Sequence, residues 1–143
     1  MILIDVNILV YAHRADAPHH SPMRKWLEDV INGDQAYGVS DPVLSGFVRV
    51  VTHPAVFNPS SPVESALQFC SEIRNQPHCV HIAPGLRHWE IFMDLCKTVG
   101  AKGNLVPDAY LAAIALESGS EWITTDRDYS RFPKLRWRHP LST

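Results

Sequence analysis

Three aspartates far apart in the chain, Asp5, Asp108 and Asp126, have the strongest claim to chemistry. Asp5 closes the apolar run from Met1 to Ile4, and Asp126 follows the apolar stretch Trp122-Ile123-Thr124 after one residue. Asp108 comes directly after Pro107, a residue that suits the first turn of a helix. Strand ends and helix starts share one rim of a parallel sheet, so all three carboxylates belong at the same edge. Gathered there, they repel one another and hold their protons unless a cation neutralises them. Mg²⁺ or Mn²⁺ is the natural partner, because a hard divalent ion takes a few carboxylate oxygens and retains waters. Open coordination positions then suit a phosphate oxygen and an attacking hydroxide, which is the chemistry of phosphodiester hydrolysis. Taken singly, each aspartate also suits a cap, a turn or the favourable end of a helix dipole. Asp5 is the one that solubility explains least.

Other reactive residue types form no comparable set. The eight histidines include His19-His20 and His78-x-x-His81, but there is no HExxH and no closed ligand pattern. Cys70, Cys79 and Cys96 are odd in number and lack CxxC spacing, so all three are expected to be buried, inert thiols. No GxSxG elbow, Walker-type loop or organic-cofactor motif is present. The methionines and tryptophans at helical spacing read as core.

The elements that must position the aspartates follow from periodicity. Met1 to Ile4 is a continuously apolar, branched run, the mark of a strand buried on both faces. After a polar stretch, Ser21 and Pro22 start a helix that carries Met23, Trp26, Leu27, Val30 and Ile31 and stops at Asn32-Gly33. Ala36 to Val39 is a second strand, and Asp41-Pro42 caps and opens a helix that ends before His53-Pro54. Ser61-Pro62-Val63-Glu64 reads as a capping box for a third helix. Val80 to Ile82 is a short strand, and Leu86 to Val99 is a helix that Gly100 terminates. Pro107 opens an alanine-rich helix ending at Gly119, and Glu121 to Thr124 returns as a strand.

This alternation predicts an α/β fold, three layers with a central parallel sheet, its functional crevice beyond the carboxyl ends of the strands. With 143 residues, 45% hydrophobic and 20% charged, one domain spanning 1–143 can bury a core. No apolar stretch of membrane-spanning length occurs, so a soluble, cytoplasmic protein is expected, with no membrane partner. The net charge of -2 does not advertise a nucleic-acid binder. Five of the 13 basic residues nevertheless fall between Arg127 and Arg138, beside Tyr129, Phe132 and Trp137. That tail reads either as an RNA-contacting surface or as a solvated face with its aromatic residues turned inward. Arg14 and Arg49 are candidates for positioning a phosphate; alternatively, Arg49 holds a carboxylate.

Three segments carry a family resemblance: ILIDVNILVYA at the start, VLSGFVRVVTHPAVF in the middle and GNLVPDAYLAAIALESGSEWITTDRDYSRFPKLRWRHPL at the end. Together they resemble the PIN-domain toxins of VapBC toxin–antitoxin systems. The most specific part is an early strand-D-x-N paired with a late PDAxLAAxAxE and TTDRDY. The resemblance implies a PIN-like fold and a Mg²⁺- or Mn²⁺-dependent endoribonuclease, the toxin of a type II system. It also implies a homodimer, silenced by a small VapB-like antitoxin whose tail fills the active-site groove. By the same resemblance Asp5, Asp108 and Asp126 hold the metal, with Asp126 completing the pocket. Asn7 steadies Asp5, and Thr124 or Thr125 supplies a hydroxyl near Asp126. Asp128 either contributes through water or is a solvated turn residue beside Arg127. One departure stands out: where the family commonly places a glutamate, this chain has Gly46. The nearest acid, Asp41, is expected to cap its helix, and Ser45 offers only a neutral oxygen. The missing carboxylate leaves a second function open, a catalytically weak module of the same fold that grips RNA or a partner.

Overall fold

The computed structural model of the chain describes residues 1–142. At its centre is β1 (Ile2–Ile4), whose Leu3 and Ile4 are wholly buried because the strand is covered on both faces. Asp5 ends the strand and caps α1 (Val6–His13) without an intervening loop. Then follow α2 (His20–Asn32), β2 (Tyr37–Val39), α3 (Asp41–Val51), α4 (Val63–Arg74) and β3 (Cys79–His81). The second half comprises α5 (His88–Val99), α6 (Leu105–Ser118), β4 (Glu121–Ile123), a 3₁₀ turn (Arg127–Arg131) and β5 (Trp137–Arg138).

All strand pairings are parallel, in the order β3-β2-β1-β4-β5. The chain builds outward from β1 on one side, then returns to lay β4 against the other side of β1. That reversal opens the crevice in which doubly wound sheets place their ligands, just past the ends of β1 and β4. Helices cover the sheet in the expected three-layer arrangement, with α1 packed on α2 and α3, α3 on α4, and α5 on α6. The core joins Leu3, Ile4, Ile8, Phe47, Ile114 and Trp122 among others into one buried cluster.

Several local expectations are corrected. The polar stretch expected after Asp5 is in fact the helix α1, in which Ile8, Leu9, Val10 and Ala12 are all buried. Burial on nearly every side erases the one-faced stripe by which a helix is recognised. Asp41 sits one residue inside α3, behind the N-cap position Ser40, and pairs with Arg74 at 3.1 Å instead of capping. The Ser61 capping box does not form either, since Pro62 holds the N-cap position of α4. The Ser61 hydroxyl instead accepts from Arg14 Nη1 at 3.1 Å and meets His13 Nε2 at 3.3 Å. Leu86 precedes α5 and is fully exposed, and Trp89 is exposed on it, so neither belongs to the core. Cys79 and Cys96 are only partly buried. Helix α6 begins two residues before Pro107, which still falls in the first turn where no backbone donor is lost. Gly100 and Gly119 do end their helices, in left-handed conformation at φ 61° and 68°.

Candidate active site

Asp5 leaves β1 in extended conformation, and its backbone N–H donates to Ile123 O on β4 at 3.0 Å. Its carboxylate is committed on both oxygens. Oδ1 accepts from the Val6 N–H at 2.6 Å, which caps α1, while Oδ2 accepts from Thr124 Oγ1 at 2.7 Å and Asn7 Nδ2 at 3.1 Å. Thr124 Oγ1 accepts in turn from Asn7 Nδ2 at 3.2 Å and from the Asp126 N–H at 3.0 Å. Asn7 Oδ1 takes the Thr125 N–H at 3.2 Å. The ends of β1 and β4 are thereby tied through side chains, and the hydroxyl in that knot belongs to Thr124, with Thr125 contributing only backbone. Asp5 is 4% exposed and Thr124 fully buried.

Asp126 follows β4 and caps the 3₁₀ turn, its Oδ1 accepting the Asp128 N–H at 2.9 Å. Asp128 itself is exposed on that turn. Asp108 projects from the first turn of α6, and its Oδ1 accepts the Tyr129 hydroxyl at 3.3 Å. Tyr129 was not anticipated as a site residue. It is buried at 2% exposure and wedged against Trp122 and Phe132, so its hydroxyl is aimed at Asp108 by packing. The only hint in sequence is its place at the end of TTDRDY; a core aromatic and an aromatic that aims a hydroxyl look alike in a string of letters.

The carboxylates feel one another. Burial pushes Asp5 up to about 7, and the charges of Asp108 and Asp126 add to that, against the pull of the Thr124 and Val6 donors. Asp108 is raised as well, by burial first, then by Asp126, and by Asp128 more weakly, against the Tyr129 hydrogen bond. The Tyr129 phenol is driven far upward by burial and by the same acids, so it stays a hydrogen-bond donor.

Asp5, Asn7, Asp108, Asp126 and Tyr129 line a groove of about 890 Å³ whose walls include Val10, Tyr11, Phe57, Phe92 and Leu111. Gly46 and Arg49 of α3 line it too, so the glycine stands at the groove where the family resemblance places an acid. Among the described residues, no group of three or more Asp, Glu, His or Cys side chains is gathered closely enough to hold a metal ion by itself. The acidic donors on the groove, Asp5, Asp108 and Asp126, all offer hard carboxylate oxygens. Such a set fits an ion that keeps several waters, as Mg²⁺ does, and does not fit a closed structural zinc site.

Other candidates are placed elsewhere. Arg14 forms a fork with Asp16 at 2.9 and 2.7 Å, donates to Pro59 O and Ser61, and lies over the Phe57 ring. It clamps the segment between α3 and α4 and does not line the groove. Asp41 is held by Arg74, and neither Asp41 nor Ser45 lines the groove. In the basic tail, Arg138 pairs with Glu121 at 2.9 Å and Arg136 donates to Gly119 O at 2.8 Å, so both are structural fasteners at the sheet edge. His20 and His81 meet backbone carbonyls of Tyr11 and Arg74.

Comparison with known proteins bears on the chain as a whole. The PIN domain family profile matches residues 2–135. The chain is 45% identical over 141 residues to ribonuclease VapC43 of Mycobacterium tuberculosis, covering 99% of this chain and 96% of that protein. It is 38% identical over 140 residues to ribonuclease VapC25 of the same organism, covering 98% and 99%. Among solved structures, VapBC2 from Rickettsia felis, bound to a DNA fragment from its promoter, superposes with a TM-score of 0.70 at 19% identity, covering 97% of this chain and 98% of that one. A PIN-domain match over nearly the whole length, together with full-length identity to VapC ribonucleases, shows that this chain belongs to the PIN domain family and to its VapC branch.

Proposed function

We propose that this chain is the toxin of a type II toxin–antitoxin system, an endoribonuclease that hydrolyses RNA phosphodiester bonds with Mg²⁺ or Mn²⁺. The observation that carries the reading is the meeting of Asp5, Asp108 and Asp126 on one groove at the ends of β1 and β4. A divalent ion bound by these three supplies an activated water and a counter-charge for the phosphate. The protein's own groups do the positioning. Val6, Asn7 and Thr124 fix the orientation of Asp5, Tyr129 fixes Asp108, and the Thr124 hydroxyl sets the backbone from which Asp126 projects. Asp128, exposed beside them, acts at most through water. The apolar groove walls, Val10, Phe57, Phe92 and Leu111 among them, lower the local dielectric beside the carboxylates and so strengthen their charge interactions.

Residues 1–143 act as one working unit, in the cytoplasm where the RNA is. The partners are a small VapB-like antitoxin whose tail enters the groove, and a second copy of the chain. Solved neighbours that are themselves VapBC complexes support the antitoxin, and no helix among the described residues is long and apolar enough to cross a membrane. A catalytically weak module that binds RNA or a partner, the alternative raised by Gly46, is not favoured, since relatives matched over nearly their full length carry the name ribonuclease.

The test is cleavage of RNA in Mg²⁺ or Mn²⁺. Asp5→Asn and Asp108→Asn are each expected to lower the rate on the order of 10²-fold or more, and EDTA to abolish it. Undiminished cutting by either variant would remove the proposed site.

A further inference from the structure

We infer that Arg49 is the RNA-anchoring residue of this groove, holding a backbone phosphate next to the one that is cut; the inference rests on the ribonuclease reading above. Four residues of α3, Pro42, Gly46, Arg49 and Val50, line the groove, and their spacing puts them on one face of the helix. Where that face meets Val6 it carries no side chain. A Cβ built on Gly46 would stand 3.2 Å from Cγ2 of Val6, the residue that follows Asp5 and donates to it. One turn further along the same face is Arg49, exposed and the only cation lining the groove among the described residues.

Most other arginines are tied down. Arg14, Arg24, Arg74 and Arg138 form ion pairs, and Arg136 donates to a backbone carbonyl. Arg49 has no ion pair and no side-chain hydrogen bond among the described residues, although it shares a groove with three carboxylates. A position in the last turn favours any cation through the helix dipole, which a lysine would satisfy equally. A free planar fork facing a groove that must accept a polyanion does more, because it can take two oxygens of one phosphate. In this chain α3 therefore presents the groove with a cation and no acid, and the α3 wall serves the substrate backbone while the carboxylates serve the metal.

The experiment is steady-state cleavage of a fluorogenic single-stranded RNA in Mg²⁺ across a KCl series, with thermal melts of each variant. Arg49→Gln is expected to raise KM about tenfold with kcat within about threefold, on any sequence that is cut. The slope of log(kcat/KM) against log[KCl] should fall by about 0.7, the loss of one phosphate contact on a single strand. Arg49→Lys should keep the slope. Should Arg49→Gln leave KM and the slope unchanged, or lower kcat and melting temperature together, the inference is overturned while the ribonuclease reading stands. Wild-type protein that cuts no RNA under any divalent ion would overturn both.

Discussion

Asp5 carries two duties that pull its carboxylate in opposite directions. Three donors converge on it, which favours charge, yet it is buried beside two other acids, which favours the proton. The balance lifts it from 3.8 to about 7. A folded value above the unfolded one means that the stability gained from neutral Asp5 is fully present below about pH 4 and lost as pH rises through about 7. At 1.36 kcal/mol per unit the whole effect is at most about 4 kcal/mol. Thermal melts in EDTA should therefore show the protein losing stability from pH 5 to pH 8, and Asp5→Asn should flatten that fall. Mn²⁺ should restore most at pH 8, where the ion replaces the proton as counter-charge. The three aspartates were legible in sequence because each closes a strand or opens a helix, positions where an acid is conspicuous. Tyr129 was not, since what matters is the direction in which Trp122 and Phe132 hold it.

At the scale of elements, local signals succeeded where the backbone alone decides and failed where tertiary partners compete. Gly100 and Gly119 ended α5 and α6 as read, because a left-handed residue after a helix strongly favours glycine. Ser61 and Asp41 looked like caps, but Arg14 and Arg74 claimed their oxygens, and no local pattern reveals a partner 47 or 33 residues away. Helix α1 was missed because its apolar residues surround it, leaving no polar face to mark the period. Gly46 offers an element-scale test. A mid-helix glycine costs about 0.5–1 kcal/mol relative to alanine. The new methyl meets only Val6 Cγ2 at 3.2 Å, a partly exposed side chain that can give by a few tenths of an ångström. Gly46→Ala should thus raise stability by about 0.5 kcal/mol in urea titration and leave cleavage intact. A loss of more than about 1 kcal/mol would mean instead that α3 and α1 are too closely packed there to admit any side chain.

The whole molecule brings distant residues together through strand order. Apolar runs alternating with helices disclosed the layered parallel sheet, and with it the edge where Asp5, Asp108 and Asp126 had to lie. The order β3-β2-β1-β4-β5 was not legible, because strands of three residues carry too little pattern to name their neighbours. That order is what sets the end of β4 against the end of β1 and lets Thr124 reach Asp5 across 119 residues at 2.7 Å. It also brings α1, α3, α5 and α6 around the same opening, so one groove joins the acidic rim to Arg49 and to the apolar walls. The central claim is that this rim is a divalent-metal site, and anomalous diffraction from crystals soaked in Mn²⁺ tests it most directly. An anomalous peak coordinated by Asp5, Asp108 and Asp126, and lost in Asp108→Asn crystals, is expected; manganese bound only elsewhere, or a peak that persists without the Asp108 carboxylate, would contradict it.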